Sequence, residues 1–174
     1  MTKRRIIIGF GRILLPAICL IAEAAPAAAA STSTAVQANV VKPLTLSSIQ
    51  NMDLGIITLK PGVWSGATIS LSRAGVLTCD AAYLTCSGAT MTARYNVQGT
   101  NRMMVNITAP DVKLVNSTDS SQVLTMVVDN PGQVLLTSSG VPGVNFDLGG
   151  TITLNSSAGS GDYTGTFAVT VDYQ

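Results

Sequence analysis

Short runs in which apolar and polar residues alternate follow one another along most of this sequence. The clearest runs cover residues 34–42, 67–71, 93–97, 103–108, 124–128 and 148–154. A period of two places apolar side chains on one face of a β-strand. The breaks between the runs carry turn residues, namely Pro61-Gly62, Ala109-Pro110-Asp111, Asn130-Pro131-Gly132 and Pro142-Gly143. No window after residue 30 has a helical period, so we predict an all-β, antiparallel sandwich.

The first thirty residues have the three parts of a secretory signal peptide. The basic residues Lys3, Arg4, Arg5 and Arg12 precede an apolar run over residues 13–22, and an alanine-rich stretch ends at Ala30. Ten apolar residues make about 15 Å of helix, too short for a bilayer core of about 30 Å. We therefore expect residues 1–30 to be removed on export, and we expect no membrane span in the remainder.

The remaining 144 residues are the right length for a single domain with little net charge. They hold six Lys and Arg residues and eight Asp residues, and the basic residues form no block. A nucleic-acid-binding protein needs clustered cations to neutralise phosphates. We therefore expect no nucleic-acid partner.

Two cysteines, Cys79 and Cys86, remain after the signal peptide. An even number of cysteines in an exported chain favours a structural disulfide. A metal site would need further ligands, and the chain has no histidine. A redox pair is typically spaced C-x-x-C, and that spacing is absent here.

The absence of histidine also excludes Ser-His and Cys-His nucleophile pairs. No S-x-x-K spacing occurs, and the aspartates are scattered beside turns without a calcium-loop pattern. We therefore predict that the protein is not an enzyme and has no catalytic residue, cofactor or metal. Trp64 and Tyr83 keep two alternatives open, since an exposed aromatic ring could stack on a sugar whereas a buried one belongs to the core.

The sequence closes with G-D-Y-T-G-T-F-A-V-T-V-D-Y-Q, in which Phe167, Val169, Val171 and Tyr173 alternate with more polar residues. Terminal residues usually fray, so an apolar strand here predicts a partner that pairs with it. The stretch resembles the C-terminal motif of bacterial pilin subunits assembled by the chaperone–usher route. Those subunits also have a penultimate Tyr and a Gly near the fourteenth position from the end, here Gly161.

Two further stretches, V-K-P-L-T-L-S-S-I-Q-N-M-D-L-G-I-I and V-N-F-D-L-G-G-T-I-T-L, resemble the bacterial family called domain of unknown function 4402. Members of that family are exported and look pilin-like. The resemblance implies an immunoglobulin-like sandwich that lacks one strand. It also implies an open groove beside the last strand, where Gly161, Phe167, Val169, Val171 and Tyr173 form the acceptor and chaperone-binding strand. The local Cys79–Cys86 pair departs from many pilins, whose disulfide joins distant strands.

The resemblance also implies partners and a location. Each subunit would be exported through the inner membrane and would bind a periplasmic chaperone and then an outer-membrane usher. It would finally join copies of itself or related subunits at the cell surface or in a fimbria. Residues 31–42 are the candidate donor strand, with Val36, Ala38 and Val40 on one side, and residues 43–174 form the sandwich domain. The alternative for residues 31–42 is a first strand of the chain's own sandwich.

The sequence therefore predicts a structural subunit of a surface fibre that polymerises by donor-strand addition. The alternative is a secreted or surface-attached monomeric sandwich that acts as a binding or adhesion module.

Overall fold

The computed structural model describes residues 31–174, and within that range the fold is all-β and sandwich-like, with antiparallel pairing between strands and no helix. The chain divides after Ala38, and residues 39–174 form one compact unit. The strands are β1 (Thr45–Gln50), β2 (Ile56–Leu59), β3 (Ser65–Leu71), β4 (Leu77–Cys79), β5 (Leu84–Ser87), β6 (Ala93–Gln98), β7 (Met104–Thr108), β8 (Val112–Asn116), β9 (Val123–Asp129), β10 (Gln133–Leu135), β11 (Val144–Asn155), β12 (Tyr163–Thr164) and β13 (Thr170–Tyr173).

The strands form one large sheet and two small ones. The large sheet has the order β1-β6-β11-β9-β8-β12, and β3 joins it by pairing with both β11 and β4. The second sheet has the order β10-β7-β13, and the third consists of β2 and β5. In the described part of the chain, no helix is long and apolar enough to cross a membrane.

All three sheets contribute side chains to one hydrophobic core. The alternating residues of β3, which are Ala67, Ile69 and Leu71, are fully buried. The same alternation buries the inward residues of β6, β7, β9 and β11, including Val97, Val105, Met126, Leu148 and Ile152. The predicted all-β class and the inward faces of these strands are confirmed.

The longest strand, β11, changes partners at a pair of glycines. Residues 144–148 pair with β6, whereas residues 150–155 pair with β3. A Cβ atom on Gly149 would collide with the backbone carbonyl of Leu71, and one on Gly150 would lie 2.7 Å from Met126 Sδ. Two consecutive glycines within a strand are typical of a bulge or a bend. In the structure β11 is continuous, and the glycines permit close approach of its neighbours.

The bridge between Cys79 and Cys86 joins two different sheets. Cys79 ends β4 of the large sheet, Cys86 lies in β5 of the two-stranded sheet, and their Cα atoms are 6.3 Å apart. The loop is short in sequence, yet it connects the β2–β5 pair to the main body of the fold.

We expect the double substitution Cys79→Ser and Cys86→Ser to lower the free energy of unfolding by about 2–3 kcal/mol, because the bridge restricts the unfolded chain. Urea denaturation of the exported protein measures this loss. Reduced wild-type protein is the matched control and should unfold at the same midpoint as the double variant. Equal midpoints for oxidised wild type and double variant would show that the bridge contributes nothing.

Residues 31–44 form no strand, although the alternation over residues 34–42 predicted one. Val36 and Val40 are 90% and 88% exposed. The interpretation of this segment as the first strand of the chain's own sandwich is therefore wrong. The reason is that alternation alone does not make a strand, which needs a second strand to pair its backbone groups. The predicted signal peptide, residues 1–30, lies outside the described residues.

Candidate functional site

The end of the chain runs antiparallel beside one long stretch of backbone. Tyr163 lies opposite Asn116 in β8, and Thr170 lies opposite Thr108 in β7. The two ladders are offset from each other by one residue. Residues 163–173, in which β12 and β13 are joined by residues 165–169 that belong to no strand, are called the final strand below.

Among residues 31–174, β12 pairs only with β8 and β13 only with β7, so each of these two strands has one unpaired edge. The amide of Gln174 donates to the carbonyl of Met104. Because hydrogen-bonded and non-bonded pairs alternate in an antiparallel ladder, the backbone groups of Val171 and Tyr173 point away from β7. The outer edge of β13 thus offers unpaired N–H and C=O groups.

A second unpaired edge lies along residues 45–59. On one side this segment pairs with β6, bridges through Asp53 to Met91 and then pairs with β5. On its other side, no strand of the described chain pairs with it. Unpaired edges of this length are sites where another strand can add.

An open cleft of about 950 Å³ lies between these two parts of the chain. Residues 51–59 form one rim, and residues 158–167 form the other. The floor consists of core side chains from β6, β8, β9 and β11, namely Ala93, Tyr95, Val112, Leu114, Leu124, Met126, Ile152 and Leu154. Tyr95, Leu114 and Leu124 are partly exposed and the other five are at most 5% exposed, so the cleft reaches down to the hydrophobic core.

The chemistry of the cleft suits an uncharged, extended ligand. Its lining contains two charged residues, Asp53 and Asp162, and both lie on the rims. Burial raises the pKa of the Tyr95 phenol on the floor above its ordinary value, since an apolar environment disfavours the phenolate. Within residues 31–174, no group of His, Cys, Asp and Glu side chains is arranged to hold a metal ion.

The structure distributes the predicted acceptor residues over two environments. Gly161 and Phe167 line the cleft. Val171 and Tyr173 lie beyond it in β13, which pairs with β7, and Val169 lies just before β13; all three are half-buried against the core. The predicted donor residues Val36, Ala38 and Val40 are all exposed.

Gly161 lies where a side chain cannot be accommodated. Its φ is +139°, and a Cβ atom would lie 2.6 Å from Asn116 Oδ1. Asn116 is 3% exposed, and its side chain bonds Ser160 O, Thr118 N and Thr118 Oγ1. Gly161 therefore lets the rim of the cleft pack directly on a buried amide.

Sequence reasoning missed the opposite rim, residues 51–59, as part of a site. A signal was present, because Ile56 and Ile57 are consecutive and make both faces of β2 apolar. Trp64 and Tyr83 lie elsewhere, and their rings stack on each other with centroids 5.4 Å apart. Trp64 is half-buried against the core, and Tyr83 is 40% exposed.

Comparison with known proteins gives one match. The model of the family described as Domain of unknown function (DUF4402) matches residues 44–173, which include every strand that the structure describes. No curated protein and no solved structure matches the chain. Because the family model spans most of the sequence and both rims of the cleft, this chain belongs to the DUF4402 family.

Proposed function

We propose that this protein is an exported structural subunit of a surface fibre, and that it polymerises by strand addition. Residues 31–42 of one copy would enter the cleft of the next copy and pair with its unpaired backbone edges. In strand addition, main-chain hydrogen bonds supply affinity and alternate side chains fill pockets. The observation that carries the proposal is the cleft itself, which opens onto core side chains between two unpaired segments.

The donor segment matches the cleft in length and charge. Twelve extended residues span about 40 Å, and the cleft is bordered by nine residues on one rim and ten on the other. Residues 31–41 contain no charged residue, and the lining of the cleft carries only two, Asp53 and Asp162, both on its rims. Val36, Ala38 and Val40 repeat with the period of a strand, so all three can face the apolar floor together.

The proposal also explains why a chaperone would be needed. An open apolar cleft beside unpaired strand edges promotes aggregation. A periplasmic chaperone would cover the cleft until an outer-membrane usher brings the next subunit. The mature subunit would then reside at the cell surface.

A trimmed chain that begins at Lys42 tests this function directly. The trimmed protein should fold but should not donate a strand, so fibres should stop wherever it enters. A synthetic peptide of residues 31–42 should stabilise it by about 2.7 kcal/mol at a hundredfold excess over Kd, which raises Tm by about 8 °C. Thermal unfolding with increasing peptide measures the shift.

A peptide with Val36→Asp and Val40→Asp is the matched control, and it should leave Tm unchanged because burying an unpaired charge is costly. A trimmed protein that is a stable monomer and ignores the native peptide would contradict the proposal. The monomeric binding or adhesion module would then be the better description.

A further inference from the structure

The residue that leads into β1 is held at both of its backbone groups. The Lys42 N–H donates to Thr100 Oγ1 over 2.7 Å, and the Lys42 carbonyl accepts from the Tyr173 hydroxyl over 2.7 Å. The same hydroxyl accepts from the Thr100 N–H, also over 2.7 Å. Three separate parts of the chain thus meet at one phenol oxygen, and we call this arrangement the Lys42 latch.

The Tyr173 hydroxyl lies against the backbone of Gly99, beside the side chains of Leu44 and Leu136. A Cβ atom on Gly99 would collide with the Tyr173 hydroxyl and would lie 2.7 Å from Leu44 Cδ2 and 2.8 Å from Leu136 Cδ1. Leu136 is fully buried. A glycine at position 99 therefore lets the hydroxyl come close to the backbone, where its hydrogen bonds orient the Lys42 carbonyl.

The backbone beside the latch is also stiff. Pro43 fixes its own φ and restricts Lys42 to an extended conformation. If residues 31–41 were to fold back into their own cleft, the chain would have to reverse direction between residues 41 and 44. Such a turn would break the hydrogen bonds of Lys42, and proline is unfavourable at the third position of the common type I turn.

We propose that Tyr173 is the positioning residue that prevents a subunit from inserting its own residues 31–41 into its own cleft. By holding Lys42 extended, the latch leaves the segment free for a neighbouring copy. This inference rests on the proposed function. It adds the contact that decides whether a subunit donates its segment to a neighbour or closes its own cleft and stays a monomer. Tyr173 therefore has two positions to hold, its own place in β13 and that of Lys42, which follows the donor residues 31–41.

Tyr173→Phe tests the latch, because it removes the hydroxyl and keeps the ring. We expect the mature Tyr173→Phe protein, assembled at low concentration, to contain about tenfold more monomer than wild type that cannot bind a labelled peptide of residues 31–42. Thr100→Val, which removes the other partner of Lys42, should shift the population in the same direction. Tyr83→Phe is the matched control, since Tyr83 lies outside the cleft and the latch, and it should match wild type.

Trimming residues 31–41 from the Tyr173→Phe variant distinguishes the two roles of Tyr173. Full recovery of peptide binding would support the latch, because only the variant's own segment blocked the cleft. Peptide binding that stays weak after trimming would overturn the latch, because Tyr173 would then merely support the final strand. An unchanged monomer fraction in Tyr173→Phe would also overturn it. If trimmed wild type binds no peptide, strand addition itself is wrong.

Discussion

Phe167→Asp in the trimmed chain should weaken binding of the peptide of residues 31–42 about a hundredfold, or about 2.7 kcal/mol. Phe167 lies on the final strand and lines the cleft. A bound strand would cover the carboxylate, and a covered charge without a partner ion is strongly unfavourable. Fluorescence titration with labelled peptide measures the affinity, and electron microscopy of the mature variant should find no fibres.

Ala168→Asp provides the matched control, because Ala168 is the next residue along the strand and its side chain is exposed. This variant should bind peptide like the trimmed wild type. A milder variant, Phe167→Ser, guards against loss of folding and should weaken binding about tenfold. Equal affinities for the Phe167 and Ala168 variants would mean that the peptide binds somewhere other than this cleft.

Gly161→Ala should lower the free energy of unfolding by about 3 kcal/mol. Alanine at position 161 would have to keep a positive φ that residues with a side chain rarely adopt, which costs about 1–3 kcal/mol. It would also press on the buried Asn116 amide, whose hydrogen bonds hold the rim near Ser160 and Thr118. Urea denaturation of the mature protein measures the loss.

Gly75→Ala separates the two contributions. Gly75 also has a positive φ, +79°, but a Cβ atom there would have nothing within 4 Å. Gly75→Ala should lower the free energy of unfolding by about 1 kcal/mol, which is the cost of the backbone conformation alone. If both variants lose the same free energy of unfolding, the close packing of residue 161 on Asn116 contributes nothing to the effect of Gly161→Ala.

Local pattern was enough to locate most strands and their inward faces. Ala67, Ile69 and Leu71 alternate in the sequence and are all buried, and so are Met126 and Val128 in β9. Alternation is a local property, because successive side chains of any extended chain point to opposite faces. The disulfide between Cys79 and Cys86 was also predicted from the sequence. The sequence did not show that this bridge connects two different sheets.

The candidate site was only half visible in the sequence. Gly161 and Phe167 were singled out in the final strand, and both line the cleft. The opposite rim, residues 51–59, was not predicted to border an opening. Which segment lies across a cleft depends on contacts between distant residues, and no local period encodes those contacts.

The sequence by itself determined the all-β class, the alternating faces and the turns, because each follows from the conformational preferences of a few neighbouring residues. Only the tertiary structure decided which edges stay unpaired. Residues 34–42 alternate as clearly as β3 does, yet they form no strand, whereas β3 lies between β11 and β4. A strand exists only where another strand completes its backbone hydrogen bonds, and that partner is set by the fold as a whole.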